Sequence, residues 1–406
     1  MKEHLDEAIQ NFRASAGRYS KTERYYRGDH DLAFATEKFA NTFGSLFREF
    51  ALNLCPAVCD AVRDKLRITG FGPHALNDEL DRIWHRNRMN IRAGEVLREA
   101  VTNGDAYAIV WPDEGGGAAI HPQRAAACTV VYDAERPGRL LRAAKYWRTA
   151  DRHTRLNIFY PDRIDRYITS RPGEGYLPDA REFIPFEGAA GEGGHTLANP
   201  FGMVPVFHFA NNADIGAFGR SELDTAIPVQ DGLNKAVLDM LVAMEFCAYR
   251  QRWVAGIEIQ YDNDGKPVAP FKAGVDHLWI TENPNARFGD FETVDLDQFL
   301  KVKDSFRIDI ASVTGTPMYY LLPHSGGFPS GEALKKAETR FIAKVRDRQA
   351  AFGQTWSDVM AFALRLEGHG ENRVIRTRWK TRRSWPSANR LRTSCSKNRS
   401  ASARAN

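Results

Sequence analysis

Two cysteines have a spacing that could support chemistry in this 406-residue chain. Cys55 and Cys59 are four residues apart, so a helix would place both thiols on one face, where they could bind a metal or a redox partner. A structural zinc site needs four ligands, and no second pair of cysteines or histidines with suitable spacing follows. Two small buried side chains are therefore the better interpretation.

Two loop segments contain residue types that bind ions in other settings. Residues 262–265 (Asp-Asn-Asp-Gly) could begin a calcium loop, but the closing glutamate of such a loop is missing, which favours a hairpin turn. Residues 187–194, rich in Gly, Ala and Glu, lack the Gly-Lys-Ser/Thr ending of a phosphate-binding loop. We expect a surface loop there.

Enzyme signatures are missing from the sequence. It contains no Walker A, HExxH or GxSxG pattern and no Cys/His zinc spacing. The lone His208 is better explained as a packed or exposed strand residue than as a ligand. We therefore expect a protein that is not an enzyme, with no catalytic residues, no cofactor and no metal. An enzyme with an unfamiliar site in its α+β region is the alternative.

The positive charge of the chain is concentrated at its end. Eleven of the 56 Lys and Arg residues, and no Asp or Glu, lie from Arg373 onward. Residues 1–372 therefore hold 45 basic and 51 acidic side chains, a net charge of −6. An acidic body argues against a protein that clamps nucleic acid by neutralising phosphates. The cysteines are scattered, which indicates a reduced, intracellular environment. The sequence contains no apolar run of 18 residues, so we expect no membrane span.

The first half of the chain combines helices with hairpin-connected strands. Apolar spacing predicts helices over residues 3–17, 37–66, 75–88 and 91–103, with Pro56 as a kink in the second. Alternating segments between residues 106 and 169, and a further one over 203–209, predict strands separated by Gly/Pro/Asp turns. Helices beside an antiparallel sheet define an α+β fold class.

The second half of the chain is organised around two helices with a small β insert between them. We predict a helix from Ser221, bent at Pro228, then an insert of short strands over 257–294, and a second helix over 295–313. A Gly/Pro-rich loop follows, and then a long helix that Ser330 caps and Gly353 kinks. The remaining residues, rich in Arg and Ser, predict a disordered basic tail.

Several motifs in this order resemble the portal proteins of tailed double-stranded DNA bacteriophages. The similarity is greatest to the siphophage-type branch common in actinobacterial phages and prophages. The motifs are Tyr-Tyr-Arg-Gly-Asp-His (25–30), Asn-Pro-Phe-Gly-Met-Val-Pro-Val (199–206), Gly-Arg-Ser-Glu-Leu (219–223), Gln-Asp-Gly-Leu-Asn-Lys (230–235), Val-Thr-Gly-Thr-Pro (313–317), Ser-Gly-Glu-Ala-Leu (330–334) and Gln-Ala-Ala-Phe-Gly-Gln-Thr-Trp (349–356). No single motif is specific; their order over residues 20–380 carries the resemblance.

The resemblance implies a domain organisation. It predicts an N-terminal α+β wing (1–220), a stem helix (221–256), a β clip (257–294), a second stem helix (295–314), a tunnel loop (315–330), a long wing helix (331–368) and a basic tail (369–406). In the family, the tail region continues as an acidic, helix-rich crown, so the Arg/Ser-rich sequence here departs from the pattern. A truncated or out-of-frame gene end would explain this departure.

The resemblance also implies a function. It predicts a dodecameric ring at the portal vertex of the virion, assembled in the bacterial cytoplasm, through which DNA is packaged and ejected. The implied partners are other copies of the chain, the terminase large subunit, double-stranded DNA, the major capsid or scaffold protein and a head–tail adaptor, without a membrane. The alternative is a non-enzymatic nucleic-acid-binding protein that acts through its basic tail.

Candidate site residues follow from that function. The DNA-channel and tunnel-loop candidates are Tyr319, Tyr320, His324, Ser325, Gly326, Gly327, Lys303 and Arg307. The clip candidates for docking the motor are Tyr261, Asp264, Lys266 and Trp279. The alternatives are that Lys303 and Arg307 are ordinary solvated charges, and that Tyr319 and Tyr320 pack in the core of a plain connection between helices.

Overall fold

The computed structural model describes residues 2–380, except 51, 174, 176, 189–193, 249–251, 257–259, 262–263, 265–266, 269–282, 291–296, 323–337 and 370–373. The chain forms two compact units. Unit 1 comprises Met1–Asp31, Asn53–Asp231 and Arg307–Asn406, and unit 2 comprises Leu32–Leu52 and Gly232–Phe306. None of the described helices is long and apolar enough to span a membrane.

The described α-helices lie mostly in unit 1. In chain order they are α1 (Lys2–Arg27), α2 (Glu37–Phe50), α3 (Cys55–Arg63), α4 (Asn77–Arg86), α5 (Met89–Asn103), α6 (Ile227–Ala248), α7 (Asp297–Thr314) and α8 (Thr339–Leu366). By these bounds α2 belongs to unit 2, α6 begins in unit 1 and α7 ends there.

The described strands form small antiparallel sheets. They are β1 (Ile68–Gly72), β2 (Asp105–Pro112), β3 (Ala118–Arg124), β4 (Cys128–Tyr132), β5 (Leu140–Arg148), β6 (Thr154–Phe159), β7 (Arg163–Thr169), β8 (Phe183–Pro185), β9 (Thr196–Ala198), β10 (Val206–Ala210), β11 (Arg252–Ala255), β12 (Gln260–Tyr261), β13 (Pro267–Val268), β14 (Arg287–Asp290) and β15 (Arg376–Trp379). The largest sheet has the order β4-β5-β6-β7-β8, with β9 on β7, and a second has the order β10-β2-β3. Antiparallel sheets beside helices confirm the predicted α+β class.

The core of unit 1 is built from alternate faces of the largest sheet. On one face, α1 packs Leu5, Ile9 and Phe12 against strand residues such as Leu156 and Ile158. On the other face, part of the sheet packs against β2 and β10. Helix α8 adds Trp356, which is fully buried. Its ring centroid lies 4.7 Å from that of Phe209 and 5.3 Å from that of Trp84.

The predicted single helix over 37–66 is wrong, because the chain breaks between α2 and α3. The Asn53 side chain forms the break: its Oδ1 accepts a hydrogen bond from the Cys55 N–H at 3.0 Å, and its Nδ2 donates to the Tyr26 carbonyl at 3.2 Å. Pro56 then lies in the first turn of α3, where a proline favours a helix start. Cys55 and Cys59 are buried, as predicted, and burial raises the pKa of the Cys55 thiol to about 12.

Helix α6 begins six residues later than the predicted helix start at Ser221. The predicted pairing of Ser221 with Asp224 exists, with Asp224 Oδ2 accepting from the Ser221 N–H at 3.1 Å, but it closes a turn. Pro228 lies in the first turn of α6. A proline at this position needs no backbone partner, so it starts the helix rather than bending it.

The C-terminal strand β15 was not predicted. It pairs antiparallel with β1, so Trp379 lies opposite Ile68. Thr377 Oγ1 also donates to the Gly353 carbonyl of α8 at 2.8 Å. The prediction of a disordered tail from residue 369 is therefore wrong for Arg376–Trp379. The run is only four residues long, too short for an alternating pattern to identify it.

Gly353, the predicted kink, lies inside the continuous helix α8. A Cβ atom at this position would lie 2.9 Å from Nε1 of Trp379. The absence of a side chain therefore lets the tryptophan of β15 contact the helix. The glycine serves this close approach.

We predict that Gly353→Ala lowers the free energy of unfolding by about 1 kcal/mol, because the new methyl group displaces Trp379. Gly94→Ala is the matched control, since a Cβ there meets nothing within 4 Å. It should raise the free energy of unfolding by about 0.5–1 kcal/mol, as alanine does in an open helix position. Urea denaturation measures both changes. In a Trp379→Ala background, Gly353→Ala should raise the free energy of unfolding. An equal rise for Gly353→Ala and Gly94→Ala in the original chain would contradict the contact with Trp379.

Candidate functional site

The structure describes half of the predicted channel residues. Lys303 and Arg307 are half-buried on α7, four residues apart and so on one helix face. Tyr319 and Tyr320 lie in one 3-10 turn, Met318–Tyr320. His324, Ser325, Gly326 and Gly327 lie outside the described residues. Of the clip candidates, Tyr261 at the end of β12 and Asp264 in the turn after it are exposed, while Lys266 and Trp279 lie outside the described residues.

The two tyrosines pack against the beginning of α8. The Tyr319 hydroxyl donates to the Glu338 carboxylate, and the Tyr320 ring centroid lies 6.1 Å from that of Phe341. Burial and the bond to Glu338 both raise the pKa of Tyr319. Both side chains are half-buried. These contacts favour the packing interpretation of Tyr319 and Tyr320 over direct exposure to a channel.

The Val-Thr-Gly-Thr-Pro motif forms the end of α7. Thr314, the last helical residue, donates from Oγ1 to the Ile310 carbonyl at 2.6 Å. Gly315 follows at φ +66°, a left-handed conformation that favours glycine at a helix end. Lys344 of α8 then donates to the Thr314 carbonyl at 2.8 Å. This contact places a cation at the negative end of α7, where it stabilises the helix.

The same lysine also binds a buried carboxylate from the Gly-Arg-Ser-Glu-Leu motif. Lys344 pairs with Glu222, and Arg348, one turn further along α8, donates from Nε to Glu222 Oε1 at 3.1 Å. Asn211 Nδ2 donates to the same oxygen at 3.2 Å. Burial alone would raise the pKa of Glu222, but Lys344 and Arg348 outweigh it and lower the pKa.

A second buried carboxylate, Asp105 at the start of β2, lies next to this cluster and has no solvent exposure. One oxygen accepts from Arg18 Nη2 at 2.7 Å and from the Tyr19 hydroxyl at 2.8 Å. The other accepts from the Gly219 N–H and lies 2.7 Å from His208 Nε2. His208 is therefore a packed residue, as expected, with the Tyr132 hydroxyl 2.7 Å from its Nδ1.

Two glycines permit the close approach of backbone segments at this point. A Cβ on Gly219 would lie 1.9 Å from the Gly104 carbonyl oxygen, and Gly104 itself has φ +91°. A side chain at either Gly104 or Gly219 would push the Gly-Arg-Ser-Glu-Leu segment away from the end of α5.

The N-terminal motif reaches the start of α6. The Tyr25 hydroxyl donates to Asp231 Oδ1 at 2.6 Å, and the neighbouring Gln230 accepts from the Leu54 N–H at 3.0 Å. His30 stacks on Tyr25, with ring centroids 4.9 Å apart. Gly28, at φ +91°, turns the chain between them. The motif therefore folds back on α1 and holds the first residues of α6.

We call the set Asp105, Glu222, Lys344, Arg348 and Asp231 the charged junction. Its carboxylates are bonded by protein partners rather than open to a substrate, and the described part of the chain contains no group of three His, Cys, Asp or Glu side chains that could hold a metal. The junction is suited to fixing backbone segments rather than to bond chemistry.

Sequence reasoning did not select the residues of the charged junction as a site. One signal was present: Lys344 and Arg348 lie three and seven residues after Phe341 and therefore share its apolar helix face. Cations on a buried face need a buried acid. The identity of that acid was not visible, because Glu222 is 122 residues away along the chain.

Comparison with known proteins finds one family over most of this chain. A family model described as phage portal protein, SPP1 Gp6-like, matches residues 62–382. The portal protein of Mycobacterium phage D29 is 26% identical over 327 residues, which cover 77% of this chain and 64% of that protein. The portal protein of Mycobacterium phage L5 is 27% identical over 175 residues, 42% of this chain and 36% of that protein. The matched region thus spans less than two thirds of the length of either relative.

Two solved structures share the fold. One is described as the neck of an empty gene transfer agent (GTA) particle computed with C6 symmetry, with a TM-score of 0.51, 13% identity and 89% of each chain covered. The other is the neck of a native GTA particle computed with C12 symmetry, with a TM-score of 0.50, 13% identity and the same coverage.

We predict that Glu222→Gln lowers the free energy of unfolding at pH 7 by about 3 kcal/mol, because Lys344 and Arg348 lose their buried counter-charge. The pKa of Glu222 is lower in the folded chain than its ordinary value of 4.5. The carboxylate therefore stabilises the fold above about pH 4.5, and this contribution is lost as the pH falls through the lowered value.

Urea denaturation at pH 7 and below pH 4 measures this effect, and the difference between the variant and the original chain should shrink at the lower pH. Asp179→Asn is the control, since its side chain is 52% exposed and paired with an exposed Arg13. It should change the free energy of unfolding by less than about 1 kcal/mol. A Glu222→Gln deficit that is the same at both pH values would refute the assignment.

Proposed function

This chain belongs to the phage portal protein family of the SPP1 Gp6-like type, and from that membership we propose that it is a structural portal protein, a ring around a channel through which DNA enters and leaves a phage head. The observation that carries the proposal is the match of the family model over residues 62–382. Portal proteins are structural, which agrees with the expectation that this chain is not an enzyme.

The proposed assembly is a closed ring of twelve copies. The C12 symmetry in the description of the native GTA neck supports that number. A head-to-tail contact closes into a ring when its rotation divides a full turn, and each copy then presents two different surfaces to its neighbours. The proposed location is the portal vertex of the virion, with assembly in the host cytoplasm.

Helix α7 offers a surface for such a contact. Four of its apolar side chains are exposed in the single chain: Leu300 at 46%, Val302 at 43%, Ile308 at 44% and Val313 at 46%. A neighbouring copy would remove this apolar surface from water, which is the usual driving force for association. We assign these residues to the interface between copies.

The domain proposal follows the family order. Residues 1–220 and 331–368 form the wing, 221–256 and 295–314 the stem helices, 257–294 the clip and 315–330 the tunnel loop, with a basic tail from 369. In the clip, Tyr261, Asp264, Lys266 and Trp279 are the proposed contacts with the terminase large subunit. The remaining proposed partners are the capsid or scaffold protein and the head–tail adaptor.

The channel must let DNA slide. Each phosphate contact adds about 0.9 to the steepness with which the logarithm of the binding constant falls with the logarithm of salt concentration. A ring repeats every contact in each copy. The cations Lys301, Lys303 and Arg307 of α7 are balanced by Asp297, Asp304 and Asp309, as a sliding surface requires. We propose that Lys303 and Arg307 face the DNA backbone together with His324, Ser325, Gly326 and Gly327. Tyr319 and Tyr320, in the turn Met318–Tyr320, contact the beginning of α8 instead.

We predict that the purified chain forms rings with a central hole at about twelve times the subunit mass of 45.7 kDa. Ile308→Asp should shift the population to monomers, because a charge in the interface has no partner. Ile215→Asp is the matched control, since Ile215 is 91% exposed in a loop rather than on α7, and it should leave rings intact. Mass photometry and negative-stain microscopy measure both. Rings that survive Ile308→Asp would exclude α7 from the interface.

Deleting residues 381–406 separates the portal proposal from the tail-based alternative. This deletion keeps β15 (Arg376–Trp379), so it removes most of the basic tail and leaves the pairing of β15 with β1 in place. Rings that persist after the deletion would support the portal reading. Monomers in both forms, together with DNA binding that requires residues 381–406, would favour the nucleic-acid-binding alternative.

A further inference from the structure

One face of the largest sheet is open at its outer end and carries cations between aromatic rings. We call this surface the cationic face; its members are Lys145, Trp147, Arg155, Asn157, Arg166 and Phe186. Lys145, Asn157 and Arg166 lie directly opposite one another across β5, β6 and β7, and Trp147 lies opposite Arg155. Phe186 follows the end of β8. Side chains that are directly opposite in a sheet point to the same side.

The rest of this sheet is covered. Helix α1 packs on the opposite face through residues such as Ala144 and Ile158, and the inner end of the same face packs on β2 through Ala143 and Phe159. The charged and amide side chains of the cationic face remain half-exposed, and Ile184 at its edge is 47% exposed. The surface is therefore an accessible sheet face rather than part of the core of unit 1.

The charge of this surface has one sign. No Asp or Glu among the described residues belongs to the cationic face. Neither Lys145 nor Arg155 forms an ion pair with a described carboxylate. Arg92 and His121 border the face on the Lys145 side: burial lowers the pKa of His121, and Lys145 and Arg92 lower it further. Burial also lowers the pKa of Lys145. The cations themselves would attract an anionic partner.

The cations are held in place by the rings. The Arg155 guanidinium carbon lies 3.8 Å from the Phe186 ring centroid and 5.2 Å from that of Trp147. Lys145 Nζ lies 5.0 Å from the Trp147 centroid, and the Arg166 guanidinium carbon lies 5.1 Å from that of Phe186. Arg166 also donates from Nε to the Gly194 carbonyl at 3.0 Å. Stacking holds the Arg155 guanidinium in place, and this reduces the freedom lost when its Nη groups bind.

We propose that the cationic face docks an acidic polypeptide segment, whose carboxylates bind Lys145 and Arg155. A guanidinium edge binds a carboxylate through two parallel hydrogen bonds. Arg155 lies two residues along β6 from Asn157, the residue opposite Lys145, so Lys145 and Arg155 are diagonal neighbours, about 7–8 Å apart. That span suits side chains two or three residues apart in an extended peptide.

Two features favour a polypeptide over a nucleic acid. Single-stranded nucleic acids stack their bases on open aromatic rings, but cations already lie over the rings of Trp147 and Phe186. In addition, Asn157 Oδ1 accepts no hydrogen bond from the described residues. A peptide backbone can supply an N–H to this amide when the side chain turns outward, whereas a phosphate backbone has no donor.

The test is fluorescence anisotropy with a labelled ten-residue peptide of alternating Glu and Ser, titrated with the full chain at low salt. Lys145→Gln with Arg155→Gln should weaken binding about tenfold. Arg98→Gln with Arg346→Gln removes the same net charge from exposed positions on α5 and α8, and should change binding less than about twofold. Circular dichroism checks folding, and the single variant Lys145→Gln serves if the double variant does not fold.

Four results would overturn the proposal. The first is no binding of the peptide to the original chain, and the second is equal weakening by the two double variants, which would reflect net charge alone. The third is that the original chain binds a twenty-nucleotide DNA more tightly than the peptide and that the Lys145/Arg155 variant loses this DNA binding, which would assign the face to nucleic acid. Mass photometry of the same samples reports ring formation independently, so failure of the portal proposal and failure of this one are distinguishable. Loss of rings in the Lys145/Arg155 variant would also overturn it, by assigning the face to a second copy.

Discussion

Two buried carboxylates, Asp105 and Glu222, determine how several elements of unit 1 pack together. A buried charge is tolerated only when partners replace the water it has lost. Asp105 gathers α1, β10 and the segment around Gly219 about the start of β2. Glu222, three residues after Gly219, requires the two cations of α8. The positions of these elements are thus set by the need to neutralise two neighbouring charges.

This requirement explains what the family motifs do in the fold. Gly-Arg-Ser-Glu-Leu supplies Glu222 and the glycine that approaches Gly104. Val-Thr-Gly-Thr-Pro supplies the carbonyl that Lys344 binds, and Tyr-Tyr-Arg-Gly-Asp-His supplies Tyr25 for Asp231. Three motifs that are distant in the sequence therefore hold the ends of α6 and α7 that lie in unit 1. Their residue types reflect backbone positioning, which fits a family of structural proteins.

Local patterns in the sequence were sufficient for the fold class and for most elements. Periodicity located α1, α5 and the strands β4 to β7 of the largest sheet, because each buries one face, but it did not predict the three-residue strands β8 and β9. It failed at Asn53, where side-chain bonds to the backbone end a helix that apolar spacing would continue. It also missed β15, which has four residues and depends on a partner about 300 positions away. The charged junction and the cationic face were missed for a related reason: both arise from residues that only the folded sheet and helices bring together.

The pairing of β15 with β1 has a consequence for the timing of folding. Residues 68–72 leave the ribosome long before residues 376–379 are made, and the Trp379 contact with α8 arrives equally late. At about 5–20 residues per second, synthesis of the intervening chain takes roughly 15–60 s. During that interval β1 lacks its partner strand, and contacts this distant in sequence also form slowly. Unit 1 is therefore completed only after residues 376–379 have been made, about 300 residues after β1.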